Sequence, residues 1–182
     1  MKERIYIFLL ALCAVLLVPS CKKQEPSVRR QLPSIYHTAY EQAYGHCYDS
    51  VPYAVVALDL YSDSLQLNKD RRIQGTGYNL YLSDIFVPDL LLEEGTYRSI
   101  PSTKSPTPFT FLQGKDYEGY PHGMYILDIE DSKISRIQVL DSGSFIYRND
   151  SLLFTLYYQN TQGTTTTYQC HFQGALIPWL KQ

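Results

Sequence analysis

The chain has little of what most enzymes and nucleic-acid binders need. It contains no Gly-x-Ser-x-Gly nucleophile turn, no His-Glu-x-x-His pair, no phosphate-cradling glycine loop and no calcium loop with aspartates at its first, third and fifth places. Hydrolytic, metalloprotease and nucleotide chemistry therefore have no signature here. Positive charge is also scarce. Six of the sixteen Lys and Arg, but only two of the eighteen Asp and Glu, fall in residues 1–30, which leaves residues 31–182 with ten basic and sixteen acidic residues. That balance offers no basic patch for nucleic acid, so such a partner is not expected. The doublets His46-Cys47 and Cys170-His171 invite a zinc site, but adjacent strand residues point to opposite faces and cannot converge on one ion. No metal or cofactor is expected.

Long hydrophobic runs are absent apart from Ile5 to Val18, which follows Lys2 and Arg4 and leads into Pro19-Ser20-Cys21. This run is shorter than the roughly 20 residues that span a bilayer, and it reads as a secretory signal rather than an anchor. The stretch Val18-Pro19-Ser20-Cys21 resembles the lipobox of bacterial lipoproteins. The resemblance implies removal of residues 1–20 and lipidation of Cys21. Acyl chains bury about 0.8 kcal/mol per methylene, so the expected partner is a membrane, held through the N-terminal lipid. Residues 21–33 are polar, carry Pro26 and Pro33, and read as a flexible tether. Residues 34–182 read as a single domain, long enough to bury a real core.

Cysteine is scarce too. Cys13 would leave with the signal and Cys21 would carry lipid, which leaves Cys47 and Cys170 in a compartment where disulfides persist. They are expected to pair, with two separate buried thiols as the alternative. A bridge between them would close a long loop, worth about 4–5 kcal/mol by chain entropy.

What the sequence has in abundance is tyrosine, seventeen in all, set with Val, Ile, Thr and Phe in short alternating runs cut by Gly, Pro, Asn and Asp. This is an all-β pattern. Strands are expected at residues 53–61, 78–82, 96–100, 109–112, 123–129, 134–140, 144–148, 152–158 and 165–176, with Asn149-Asp150 as a tight hairpin. The architecture they predict is an antiparallel β-sandwich or flattened β-barrel of about eight to ten strands. Along the last strand, Thr166, Tyr168, Cys170 and Phe172 share the core face. Residues 88–94, with Pro88 at the start and Gly95 as the stop, are open to either a short helix or a loop.

Tyr36, Tyr40, Tyr44 and Tyr48 recur at every fourth place. That spacing suits one face of a helix and equally one face of a strand. As a helix, residues 35–44 would have Ser34 as N-cap and Gly45 as stop. As a strand, Tyr36, Tyr40 and Tyr44 would line one face with Thr38 and Gln42. The downstream β pattern favours the strand, and the three rings are candidate stacking surfaces for a ligand. Core packing is the competing use for any one of them.

Few titratable groups look chemical. His122, in Gly119-Tyr120-Pro121-His122-Gly123, sits where a functional or a merely solvated imidazole could lie. Asp128 and Glu130 would share a strand face about 7 Å apart, as glycosidase carboxylates do and as any such strand pair does. No catalytic residue is assigned.

Gly95-Thr96-Tyr97, Phe109-Thr110-Phe111, Gly123-Met124-Tyr125-Ile126, Ser142-Gly143-Ser144-Phe145 and Tyr168-Gln169-Cys170-His171-Phe172-Gln173-Gly174 together resemble the strand punctuation of uncharacterised Bacteroides-type outer-membrane lipoproteins. The resemblance implies an all-β domain anchored to the outer membrane, on its periplasmic or cell-surface side, and brings no catalytic residues. With no catalytic motif in the sequence, the expected function is a non-enzymatic part in binding or in an envelope assembly. A glycan-binding accessory of nutrient uptake is the alternative, and a hydrolase the second alternative. Asp49-Ser50-Val51, Asp63-Ser64-Leu65 and Asp150-Ser151-Leu152 resemble the O-glycosylation acceptor of those bacteria, which makes Ser50, Ser64 and Ser151 candidate acceptors. The same dipeptides also simply start turns.

Overall fold

Runs that alternate polar and apolar residues form strands when one face can be buried, and here they do so nearly end to end. The computed structural model describes residues 31–49, 51–62, 64–160 and 162–179. Among the described residues there are sixteen strand segments and no helix. The first stretch is Ile35–Tyr36 (β1) and Thr38–Gly45 (β2), interrupted only at His37. Ala54–Tyr61 (β3) follows, then a small hairpin of Gln66–Leu67 (β4) and Ile73–Gln74 (β5), and the long Gly77–Val87 (β6). Next come Gly95–Ile100 (β7), Thr110–Leu112 (β8), and a second small hairpin of Lys115–Tyr117 (β9) and Tyr120–His122 (β10). Met124–Glu130 (β11), Lys133–Val139 (β12), Ser142–Arg148 (β13), Ser151–Gln159 (β14), Thr165–Gln173 (β15) and Ile177–Pro178 (β16) complete the set.

The large sheet runs β1-β15-β14-β13-β7-β8-β6-β3-β2-β16, with β11 and β12 joining beside β6. Since β1 and β2 are one stretch of chain, the path leaves β15 and returns to β3 through residues 35–45. The sheet is therefore strongly curled, as a flattened barrel is. All nine expected strands are present within a few residues. The expectation of purely antiparallel pairing needs correction: β1 with β15, β7 with β8 and β16 with β2 are parallel. Each of these pairs includes a strand of two or three residues, too short to announce itself by alternation.

The turns follow from local chemistry. Asn149 and Asp150 take φ of 50° and 54°, and Asp131 and Ser132 take 48° and 65°, the double left-handed geometry of a type I′ turn that matches strand twist. Residues 88–94 form a loop. Its second half is held by the Leu92 amide donating to Glu41 Oε1 and the Tyr97 hydroxyl donating to the Glu93 carbonyl at 2.9 Å.

The core fills the inside of the curl. Tyr97 stacks on Phe145 with centroids 4.5 Å apart and planes 6° from parallel, and Phe111 and Phe154 each sit 5.4 Å from Phe145. Phe145 and Phe111 are wholly buried. Truncating such a ring costs about 3–5 kcal/mol.

The tyrosine row is a strand, yet its rings do not share one face. Tyr36 is buried at 1% exposure in the core with Ala39, while Tyr40 is half-buried and Tyr44 is 39% exposed. The alternation slips at His37, whose amide bonds the Tyr61 carbonyl just where the chain changes partner from β15 to β3. Tyr36 is thus removed from the candidate stacking rings.

The expected disulfide is also corrected. Cys47 is exposed, Cys170 is buried, and both are free thiols. Strand β2 leaves the β15 side at His37 and rises about 3.3 Å per residue, which carries Cys47 far along the sheet from Cys170.

Candidate ligand-binding site

The strands β2, β3, β6 and β11 have two used faces. Leu58, Leu60, Leu80, Leu82, Met124 and Ile126 point inward to the core. The opposite positions carry polar aromatics beside a second, smaller hydrophobic cluster of Tyr61, Leu65, Leu127 and Ile129, against which Tyr40 and Tyr125 pack. Cross-strand register aligns Tyr40 with Asp59, Asp59 with Tyr81 and Tyr81 with Tyr125, so these four side chains form one row across the outer surface. Tyr61, two residues from Asp59, lies on the same face and meets Tyr40 edge-on at 5.8 Å. Tyr81 and Tyr125 lie 5.1 Å apart, and the Tyr44 and Tyr81 hydroxyls are within 3.5 Å.

Asp59 sits in the middle of these rings. Its carboxylate accepts from the Tyr61 hydroxyl at 2.6 Å and from Asn79 Nδ2. Burial raises its pKa, and the hydrogen bonds from Tyr61 and Asn79 pull the other way. Burial also raises the phenols of Tyr61 and Tyr81, and that of Tyr125 to about 12. All three therefore stay protonated at neutral pH, able to donate as well as accept.

A break in strand β6 shapes the adjoining cleft. Ser83 and Asp84 together stand opposite the single residue Ala57, because Val56 pairs with Ile85 and Leu58 with Leu82. This is a β-bulge, with Asp84 at φ 52°, the kind of feature that re-aims a side chain. Asp84 Oδ1 accepts from the Tyr48 hydroxyl at 2.5 Å and Oδ2 from Ser83 Oγ at 2.7 Å. The hydrogen bond to Asp84, with some burial, pushes the Tyr48 phenol well above its ordinary value. Tyr48 lies beside Phe86, 6.1 Å between centroids.

Around this bulge lies an open cleft of about 350 Å³. Tyr44, Tyr81 and Tyr125 give it aromatic walls, Ser83 and Asp84 its polar floor, and Cys47, Pro121 and His122 its rim. Pro121 and His122 on the rim come from the β9–β10 hairpin, whose turn at Glu118 and Gly119 again has two positive φ angles. His122 meets Tyr117 edge-on at 5.0 Å, Lys115 lies over Tyr117, and Tyr120 stands 74% exposed at the hairpin end. Gly123 (φ 72°) turns the chain from this hairpin into β11 with the Gln113 carbonyl packed against it, a place with no room for a side chain.

A second, smaller cleft of about 240 Å³ opens on the same face at the other side of Tyr40, with Leu67, Asn68, Lys69, Arg71, Pro178 and Trp179 around it. Trp179 stands edge-on to Tyr40 at 5.4 Å, and its amide donates to the Glu41 carbonyl at 2.7 Å.

Of the residues singled out from sequence, Tyr40 and Tyr44 thus belong to one aromatic surface. Cys47 and His122 line its main cleft. Asp128 and Glu130 instead face Arg136 and Lys133 across the β11–β12 hairpin. Ser64 is exposed and donates to the Thr76 carbonyl at 3.0 Å, and Ser151 is half-buried at the start of β14. Cys21 and Ser50 lie outside the described residues. Sequence reasoning missed Tyr81, Tyr125 and Asp84. The consecutive polar pair Ser83-Asp84 inside an otherwise alternating run was the available sign of a bulge.

The fold and this face together define a class, an all-β protein with an aromatic cleft on the outer surface of a curled sheet. Comparison takes it no further: no family model matches the chain, and neither a curated protein nor a solved structure is similar to it.

Proposed function

We propose that the protein is a lipid-anchored envelope lipoprotein that binds glycan, without chemistry, on the tyrosine face of β2, β3, β6 and β11. The observation that carries this reading is the convergence of Tyr44, Tyr81 and Tyr125 beside Ser83, Asp84 and His122 in one open cleft. A sugar ring has an apolar C–H face and a hydroxyl rim. Phenol rings offer stacking area at little entropic cost, while their hydroxyls and a carboxylate satisfy the rim. Glycoside hydrolysis ordinarily uses two carboxylates flanking the bond. Asp84 is the one carboxylate among the described residues lining the cleft, which supports binding over turnover. The anchor in this reading is Cys21, with the tether of residues 21–33 giving the domain reach from the bilayer.

Two measurements test the proposal. Calorimetry of the purified protein against a panel of oligosaccharides should show binding that Tyr44→Ala and Tyr125→Ala each weaken by about tenfold. Retention of affinity in both variants would move the site elsewhere. Mass spectrometry of the mature chain should show an N-terminal acylated Cys21, and a mature chain beginning at any other residue would remove the anchor.

A further inference from the structure

Granted the glycan reading above, on which this step rests, we infer that the ligand is a linear anionic oligosaccharide, its sugar rings in the tyrosine cleft and an acidic group in the smaller cleft beside Trp179. Tyr40 and Tyr44 lie four residues apart on one strand, roughly 13 Å. They mark the two clefts, and the row Tyr40, Asp59, Tyr81 and Tyr125 joins them. A single sugar could not reach both; a short linear chain could.

The two ends differ in charge. The large cleft contains Asp84, whereas the small one is lined by Lys69 and Arg71 and by no carboxylate among its described residues. Asp70 stands between them in sequence, and the run Lys69-Asp70-Arg71-Arg72, three basic residues and one acidic, still carries a net charge of +2 on a domain whose net charge over residues 31–182 is negative. The cations are also positioned by their loop. Asn68 Oδ1 accepts from the Asp70 and Arg72 amides at 2.9 Å each, and the Arg71 amide donates to the Asn68 carbonyl. Arg71 is held at φ 59°, a left-handed conformation uncommon for a non-glycine residue. There its guanidinium lies 5.2 Å from the Trp179 ring. A planar guanidinium on an aromatic ring, with a lysine alongside, suits an anionic oxygen cluster, whether a uronate carboxylate or a sugar phosphate.

The test uses the full chain in mild detergent and a set of hexameric probes: cello-, malto- and manno-oligosaccharides, galacturonate, its methyl ester, and phosphorylated mannoside. Affinities come from calorimetry, and Trp179, the chain's sole tryptophan, reports the small cleft by fluorescence. The galacturonate or the phosphorylated chain should bind at least about tenfold tighter than its neutral counterpart and shift Trp179 emission. Which of the two does so identifies the anion. Lys69→Gln with Arg71→Gln should abolish the preference while leaving the melting transition in place, and Tyr44→Ala should weaken both forms together. If charged and neutral forms bind equally, or only neutral probes bind, the anionic inference is overturned and the glycan reading survives. Binding of no probe would overturn both.

Discussion

Two sets of aromatic rings occupy opposite faces of the same curled sheet, and they are built differently. Inside, Tyr97, Phe111, Phe145 and Phe154 pack ring against ring with almost nothing exposed. Outside, Tyr44 meets Tyr81 and Tyr81 meets Tyr125 beside an open cleft, while Tyr40 and Tyr125 are partly buried against a smaller cluster of Tyr61, Leu65, Leu127 and Ile129. The inner core holds tyrosine as well as phenylalanine, and a buried hydroxyl there needs a partner. Tyr97 has one in the Glu93 carbonyl, and Tyr168 has one in the Tyr36 hydroxyl. An outer ring has a different use, since partly exposed aromatic area with free edges can be covered by something else.

The two cysteines give the largest contrast. Burial pushes the Cys170 thiol up to about 12, against a smaller lowering by its hydrogen bond with Tyr168, whereas Cys47 stands exposed on the cleft rim. In the native protein Cys47 should react with iodoacetamide at least about a hundredfold faster than Cys170, because only an accessible thiolate attacks. A saturating ligand in the tyrosine cleft should slow Cys47 alone. Equal rates for the two thiols in folded protein would contradict the difference between the faces.

Truncation separates the sets next. Phe145→Ala should cost about 3–5 kcal/mol in urea unfolding, through lost contacts and the cavity left among Tyr97, Phe111 and Phe154. Tyr44→Ala should cost within about 0.5 kcal/mol, as exposed substitutions do, and take its toll on binding. A Tyr44→Ala variant as unstable as Phe145→Ala would show that the Tyr44 ring serves packing rather than a ligand.

The inner face was largely legible in the sequence and the outer one only in part, for a physical reason. Alternation reports which residues share a face, so the nine main strands and the inward set of Tyr168, Cys170 and Phe172 could be read directly. It does not report which strands become neighbours. Tyr81 and Tyr125 belong to distant stretches and meet Tyr40 and Tyr44 only through the order β2-β3-β6-β11. The phase of a pattern is equally fragile. One residue at His37 was enough to send Tyr36 to the core and Tyr40 to the surface, a slip that no periodicity within residues 36–48 reveals.

Glu41 gives the smallest and most specific test, because it is the acid among the inward residues of β2. It is buried, and its Oε1 accepts from the Leu92 amide, fastening the loop 88–94 to the inner face. Burial raises its pKa above the ordinary 4.5, and the Leu92 hydrogen bond only partly offsets this. A carboxyl whose folded pKa is raised favours the fold fully below its unfolded pKa, and that contribution is lost as pH rises through the folded value. Wild-type stability should therefore carry a component that declines as pH climbs from about 4.5 through Glu41's raised folded pKa. Glu41→Gln keeps an acceptor for Leu92 but cannot ionise, so the variant should lack that decline and gain on the wild type as pH goes from 4.5 to 7.5. Urea unfolding of both proteins at those two pH values measures the double difference. Parallel behaviour would mean that Glu41 titrates alike in the folded and unfolded chain, and so is not desolvated by its place on the inner face.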